Sequence, residues 1–150
     1  MSATGMDNEI EEIVVPGEEA VFRMDENGVW HNRHGRITHS RIIAHFNASI
    51  EKDADGFFLY QAYDNIREKV YFPYEGTALF AVDVIMYPGI TLVLNTKKRV
   101  PFLPEALFVE KDHLCMRIGD TYIKFTEHVM MILIDHIEEK NGQYGLKKTG

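Results

Sequence analysis

The sequence predicts an α+β protein: a mostly antiparallel sheet with two main helices, in which a β-β-β-α unit occurs twice as an internal repeat. Three observations predict it. Short runs with strand-like patterning, bounded by Gly, Pro and Asn, cover most of the chain after residue 20. Helical spacing of apolar residues occurs in two places only, after Thr38 and after Thr126. Dipeptides suited to two-residue hairpins stand between paired runs, at Asn27-Gly28 and Gly119-Asp120.

The elements follow in order. Residues 1–20 hold six acidic residues and no Lys or Arg, so they are expected to form an acidic, disordered tail. Residues 21–25 and 29–32 read as a hairpin across a type I′ turn at Asn27-Gly28, with a short third strand at Arg36-Ile37. Thr38 is a good N-cap for a helix that places Ile42, Ile43, Phe46 and Ile50 on one face. Asp53-Ala54-Asp55-Gly56 closes that helix. Residues 57–63, 69–72, 77–87 and 90–95 read as strands of a central sheet. In the third of these, Phe80, Val82, Val84 and Met86 share one face.

The last third repeats the opening plan. Residues 107–110, 114–118 and 121–125 are strands, with Gly119-Asp120 as a II′-type turn. Thr126 caps a second helix whose buried face is Val129, Met130, Leu133, Ile134 and Ile137, and Asn141-Gly142 is its stop. Phe22 aligns with Phe108, Thr38 with Thr126, and Phe46 with Ile134. The expected organisation is therefore a tail at 1–20, a single α+β domain over 21–142, and a C-terminal tail at 143–150.

Charge and cysteine content narrow the function. The formal net charge is −7, but outside the tail sixteen basic residues face seventeen acidic ones. A near-neutral body lacks the basic footprint of phosphate-backbone binding, so nucleic acid is not an expected partner. Lys97-Lys98-Arg99 reads as a solvated turn. Cys115 is the only cysteine, which rules out an intrachain disulfide and suits a reducing compartment. No signal-peptide pattern and no apolar run of membrane-spanning length occur, so the expectation is a cytoplasmic protein without a membrane partner.

Chemistry-bearing patterns are sparse. Residues 51–56 match the first half of an EF-hand loop, but Ala62 stands where the bidentate Glu belongs and a strand follows, so a turn is the better reading. His31, His34 and His39 cluster in sequence without a zinc-type spacing, and no metal or other cofactor is called for. Ser2, Ser40 and Ser49 are the only serines, and none sits in a nucleophile elbow. Cys115 shares a strand face with His113 and Arg117 by alternation, and inert packing is the favoured reading. No phosphate-cradling glycine motif is present, and no catalytic residue is assigned.

The run Gly28-Val29-Trp30-His31, Gly35-Arg36-Ile37, a helix, Asp55-Gly56-Phe57, Ala81-Val82-Asp83-Val84, and residues 121–125 before a terminal helix resembles the uncharacterised proteobacterial family filed as domain of unknown function 1285. The resemblance spans roughly residues 21–139. It implies an α+β fold with repeated motifs, no assigned catalytic residues, and a role in signalling as one idea for such proteins.

Two functional expectations remain. One is a non-catalytic protein-interaction or signalling module docking through Tyr71, Phe72 and Tyr74, with a homodimer as a remedy for exposed sheet edges. The other is a small-molecule binder or modest enzyme whose pocket lies between the repeat units, marked by Tyr60, Tyr63 and Asp83. Asp83 interrupts an apolar strand, so its burial would require a partner, whereas an edge position would let it reach solvent.

Overall fold

The structure, a computed structural model, describes residues 10–147. The chain divides between Gly76 and Thr77 into two compact units, where the sequence suggests one domain. Mostly β, with two short α-helices, it is an α+β protein.

The first unit opens with strand β1 (Glu11–Val15), inside the stretch expected to be a tail. Ile13, Val14 and Val15 supply β-branched side chains that suit a ladder more than a coil. A small sheet follows, of β2 (Phe22–Met24), β3 (Trp30–Asn32) and β4 (Gly35–Arg36), in that spatial order. Its first turn is not type I′. Gly28 takes a positive φ of 80° while Asn27 does not, and the Gly28 amide bonds back to the Asp25 carbonyl. That is a three-residue loop with glycine in the left-handed position, a commonplace alternative for the same dipeptide. The Asp25 carboxylate accepts from the Asn27 and Val29 amides at 2.8 and 3.0 Å and so fixes the loop.

Helix α1 (Ser40–Ala48) begins two residues after Thr38, with His39 at the N-cap and no side-chain cap. No residue of it is buried. Ile42 is exposed, and Phe46 attaches the helix by packing against Phe22 and Trp30 at ring separations of 5.0 and 5.3 Å. The helix ends before Ile50. That residue starts β5 (Ile50–Asp53), which pairs with β6 (Gly56–Tyr63), which in turn pairs with β7 (Ile66–Tyr71). β1 adds in parallel to β7, giving the spatial order β1-β7-β6-β5. In this sheet Val15, Val70, Leu59 and Ile50 lie side by side across all four strands. The last three are buried and define the core face.

The second unit is a six-stranded sheet with order β10-β9-β8-β13-β12-β11. Its strands are β8 (Phe80–Ile85), β9 (Thr91–Leu94), β10 (Arg99–Pro101), β11 (Leu107–Glu110), β12 (His113–Ile118) and β13 (Thr121–Phe125). The two-residue turns follow their backbone demands. Gly119, φ 57°, opens the β12–β13 turn as expected for type II′, and Lys111 and Asp112 both take positive φ before β12. β8 carries a bulge between Ala81 and Asp83, which breaks the predicted single-face run from Phe80 to Met86. Buried Asn95 replaces ladder bonds at the start of β8, donating to the Ala78 carbonyl and accepting from the Phe80 amide, both at 3.0 Å.

Helix α2 (Glu127–Leu133) lies on this sheet. Thr126 caps it as predicted, accepting from the Val129 amide, and its hydroxyl donates to the Ala81 carbonyl at 2.9 Å. Val129 and Leu133 join Leu92, Leu94, Met116, Ile123 and Phe125 in the core. The helix is shorter than expected, because residues 134–136 tighten into a 3-10 turn and leave Ile134 exposed. β14 (Ile137–Lys140) and β15 (Gln143–Leu146) then form a hairpin across Asn141-Gly142. Both turn residues have positive φ, so this dipeptide is a hairpin turn and not a helix stop, and part of the expected C-terminal tail is strand.

Candidate functional site

Alternation along a strand sends neighbouring side chains to opposite faces of a sheet, and that rule decides which flagged residues share a surface. In the first unit, Phe58, Tyr60 and Ala62 of β6 face the same way as Arg67, Lys69 and Tyr71 of β7, the side opposite Leu59 and Val70, and Phe58 is buried on it. Asp53 joins them from the end of β5.

Asp53 organises this face. Its Oδ2 accepts from the Tyr71 hydroxyl at 2.6 Å and from Lys69 Nζ at 2.9 Å, while Oδ1 accepts from the Asp55 amide at 2.9 Å. The Tyr71 and Lys69 hydrogen bonds hold the carboxyl at a pKa of about 2. The same carboxylate raises the pKa of Tyr71 and of Lys69, so the tyrosine stays a donor and the lysine stays charged. The lysine ammonium also stands 4.5 Å over the Phe58 ring, shielding an aromatic on the outer face. Arg67 donates to the Tyr60 hydroxyl at 3.2 Å, which extends the ordered row along the strand.

Of the interaction residues expected from sequence, only Tyr71 lies here. Phe72 points the other way and is buried, 4.8 Å from Trp30 and 5.9 Å from Tyr74 by ring centroid. Tyr74 packs edge-on against Phe57 at 5.0 Å and covers Gly56, whose φ is 124° and where an added Cβ would stand 3.0 Å from the Tyr74 hydroxyl. Phe72 and Tyr74 therefore belong to packing, and a surface made of all three residues is corrected to Tyr71 alone.

The expected pocket residues separate as well. Tyr60 and Tyr63 are three apart on one strand and so face opposite ways, with Tyr63 exposed at the strand end. Asp83 is a surface residue of the second unit, its side chain 63% exposed and 3.6 Å from His128 Nε2. β8 is an internal strand, but β13 pairs only with Phe80 and Ala81, so the part beyond is open and needs no buried partner for Asp83.

The histidines are spread out. His31 Nε2 lies 2.8 Å from Asp25 Oδ2, whereas His34 sits in the β3–β4 turn and His39 precedes α1. Burial pushes the Asp25 pKa up, yet the His31 bond and the Val29 and Asn27 amides outweigh it and bring the pKa down. Among the described residues no group of three His, Cys, Asp or Glu side chains draws together as a metal set would. Cys115 is buried, and burial together with Glu110 pushes its thiol up to about 11, opposite to an activated nucleophile.

Two grooves lie away from this face. One, of about 380 Å³, is lined in the first unit by Phe22, Arg23, His31, Arg33 and Pro73 among others. The other, of about 320 Å³, is in the second unit and is lined mainly by aliphatic side chains. Neither includes Tyr60, Tyr63 or Asp83. No sequence motif marked them, although seven of the eight residues lining the first lie within residues 20–33.

The fold and these surfaces define a β-rich α+β protein with a hydrogen-bonded Asp53–Lys69–Tyr71 cluster on one sheet face. No protein-family model matches the chain, and no curated protein matches it in sequence. Among solved structures it is similar to a DUF1285 family protein from Silicibacter pomeroyi, at a TM-score of 0.64 and 13% identity over 91% of this chain and 79% of that one. It is also similar to a DUF1285 family protein from Shewanella baltica, at a TM-score of 0.55 and 11% identity over 79% of this chain and 94% of that one. In fold the chain thus resembles the DUF1285 family. Among the described residues no helix is long and apolar enough to cross a membrane.

Proposed function

We propose that the chain is a non-catalytic bacterial interaction module, acting in the cytoplasm, that docks a protein partner on the outer face of the β1-β7-β6-β5 sheet. The observation that carries this reading is the Asp53–Tyr71–Lys69 arrangement, in which aromatic and charged side chains are held in one geometry before any partner arrives. Pre-ordering lowers the entropic cost of docking, and tyrosine and arginine are the side chains that dominate interface energies. A proton-transfer role is a poorer fit. Asp53 is held ionised and Tyr71 held protonated, so neither is tuned to exchange a proton near neutral pH.

The recurrence of the element order β-β-β-α-β-β, from β2 to β6 and from β11 to β15, supports reading the chain as an internal repeat. A homodimer through the free edge of β1 fits the exposure of Ile13 and Val14 there. A Val14→Lys variant that leaves a dimer's elution unchanged would remove that edge as the contact.

The docking test places a photocrosslinking amino acid at Ala62, an exposed position on the same face, in cells that express the protein. A discrete crosslinked protein is expected, and it is lost when Lys69→Glu is added. The proposal fails if Ala62 captures nothing, or if a probe at Met131 in the other unit captures the same species.

A further inference from the structure

The aliphatic groove of the second unit is the open end of that unit's core. Val109 and Leu114 stand opposite each other on β11 and β12 and form its floor. Met130 of α2 and Ile134 of the 3-10 turn form one wall, and Ile137 and Tyr144 of the terminal hairpin form the other. Leu114, Met130, Ile137 and Tyr144 also pack against the buried cluster, which makes the groove continuous with the core. Val109 and Ile134 remain 57% and 67% exposed, respectively. Apolar side chains of this size left in water at the end of a packed core mark a place for apolar matter.

The rim carries charge of one sign. Among the described residues, Asp112, in the left-handed turn before β12, and Glu139, on the groove side of β14, are the only carboxylates lining it, and no lysine, arginine or histidine does. Glu139 stands opposite Tyr144 across the terminal hairpin, and after burial its charge is the next cause that raises the Tyr144 pKa. Lys140, its neighbour, faces the other side of the strand and approaches Glu138 at 3.9 Å.

We propose that this groove binds a small amphiphilic ammonium ion, with the alkyl or aryl body on Val109, Leu114, Met130 and Ile134 and the cation between Asp112 and Glu139. A volume of about 320 Å³ holds on the order of ten non-hydrogen atoms, taking roughly 30 Å³ for each. That is the size of a medium-chain amine and too short for the several turns of a docking helix. This site is in the second unit and does not rest on the sheet-face reading.

The test uses n-alkylammonium chlorides from hexyl to octyl, below their aggregation concentration, titrated into the intact protein and followed by amide resonances and calorimetry. Saturable shifts are expected at Ile134, Ile137 and Tyr144, with Kd tightening roughly fourfold for each added methylene. Octanoate of the same length binds more weakly. Glu139→Gln weakens octylammonium by up to about fivefold and leaves 1-octanol unchanged. Ile134→Arg abolishes octylammonium binding with its melting midpoint intact, since that side chain is largely exposed. The proposal is overturned if octanoate binds as tightly as octylammonium, if chain length has no effect, or if the shifts spread over the whole protein without saturating. It is overturned equally if the groove resonances respond to protein concentration alone, which would give the groove to a second copy.

Discussion

Tyr71 ends β7 and Phe72 follows it; the two are adjacent, similar in size, and assigned opposite roles by their burial. Replacing each with alanine tests that assignment. Phe72 is buried among Trp30, Phe22 and Tyr74, with ring centroids at 4.8, 6.2 and 5.9 Å. Removing such a ring costs about 3–5 kcal/mol, through lost transfer energy and the cavity left behind. The first unit holds 76 residues, for which a total stability of about 4–11 kcal/mol is ordinary. Phe72→Ala therefore removes about a quarter or more of what is available. Tyr71→Ala takes away a half-buried ring and its bond to Asp53, and the unfolding midpoint is expected to fall by clearly less than for Phe72→Ala.

The assay is urea denaturation followed by fluorescence. Trp30 is the only tryptophan and touches the Phe72 ring, so its emission reports this cluster. With a urea slope of about 1–3 kcal/mol/M, Phe72→Ala moves the midpoint down by more than about 1 M, or leaves no folded baseline at all. Equal shifts for the two variants would refute that assignment, and with it the placement of Tyr71 on the outer face. A larger shift for Tyr71→Ala would invert the sheet.

Three further outcomes follow from the same geometry. Thr126→Ala removes a helix cap and a bond to Ala81, so it lowers stability by about 1 kcal/mol in thermal or urea unfolding, whereas Thr38→Ala leaves it unchanged because Thr38 caps nothing. Cys115, buried with its thiol pushed up to about 11, resists a disulfide reagent at pH 8 in the native protein and reacts fully once unfolded in urea. Asp53 has its pKa lowered from 3.8 to about 2, so its contribution to stability is complete above pH 4 and is lost as pH falls towards 2. In that window the unfolded chain binds more protons at this site, stability rises with pH, and Asp53→Asn flattens the slope. A carboxyl resonance titrating near 4 would contradict the hydrogen bonds that hold Asp53.

Local chemistry was legible in the sequence wherever one residue answers one backbone demand. Thr126 caps its helix, Gly119 takes the positive φ of a two-residue turn, and Lys97 and Lys98 lie exposed between strands, while Arg99 already begins β10. Ambiguity entered where one signal serves two structures. Asn-Gly suits a helix stop and a hairpin turn alike, and at Asn141-Gly142 the strands on either side decide for the hairpin. The same dipeptide at 27–28 is captured by the Asp25 carboxylate, which favours a longer loop. β1 was hidden because its partner, β7, lies some fifty residues away and pairs in parallel, so no turn announces it.

The outer-face cluster was half legible, for a reason that concerns facing more than composition. Tyr71 and Tyr60 stood out as aromatic residues, but their neighbours Phe72 and Tyr63 stood out equally, and the β6 alternation and the burial of Phe72 separate the two pairs. Asp53, which orders the whole face, looked like one carboxylate of a failed calcium loop. The residues that it holds come from β7, across β6 from its own strand, so no spacing along the chain joins them. A charged turn residue at the end of an edge strand has few neighbours of its own and is free to reach the adjacent ladder. Here it reaches a donor tyrosine and a lysine together, and that convergence turns a solvated turn into a fixed polar surface. The functional reading depends on this fixity. If Asp53→Asn releases Lys69 and Tyr71 while the core row of Ile50, Leu59 and Val70 keeps the sheet intact, partner capture at Ala62 should fall in a protein that is still folded.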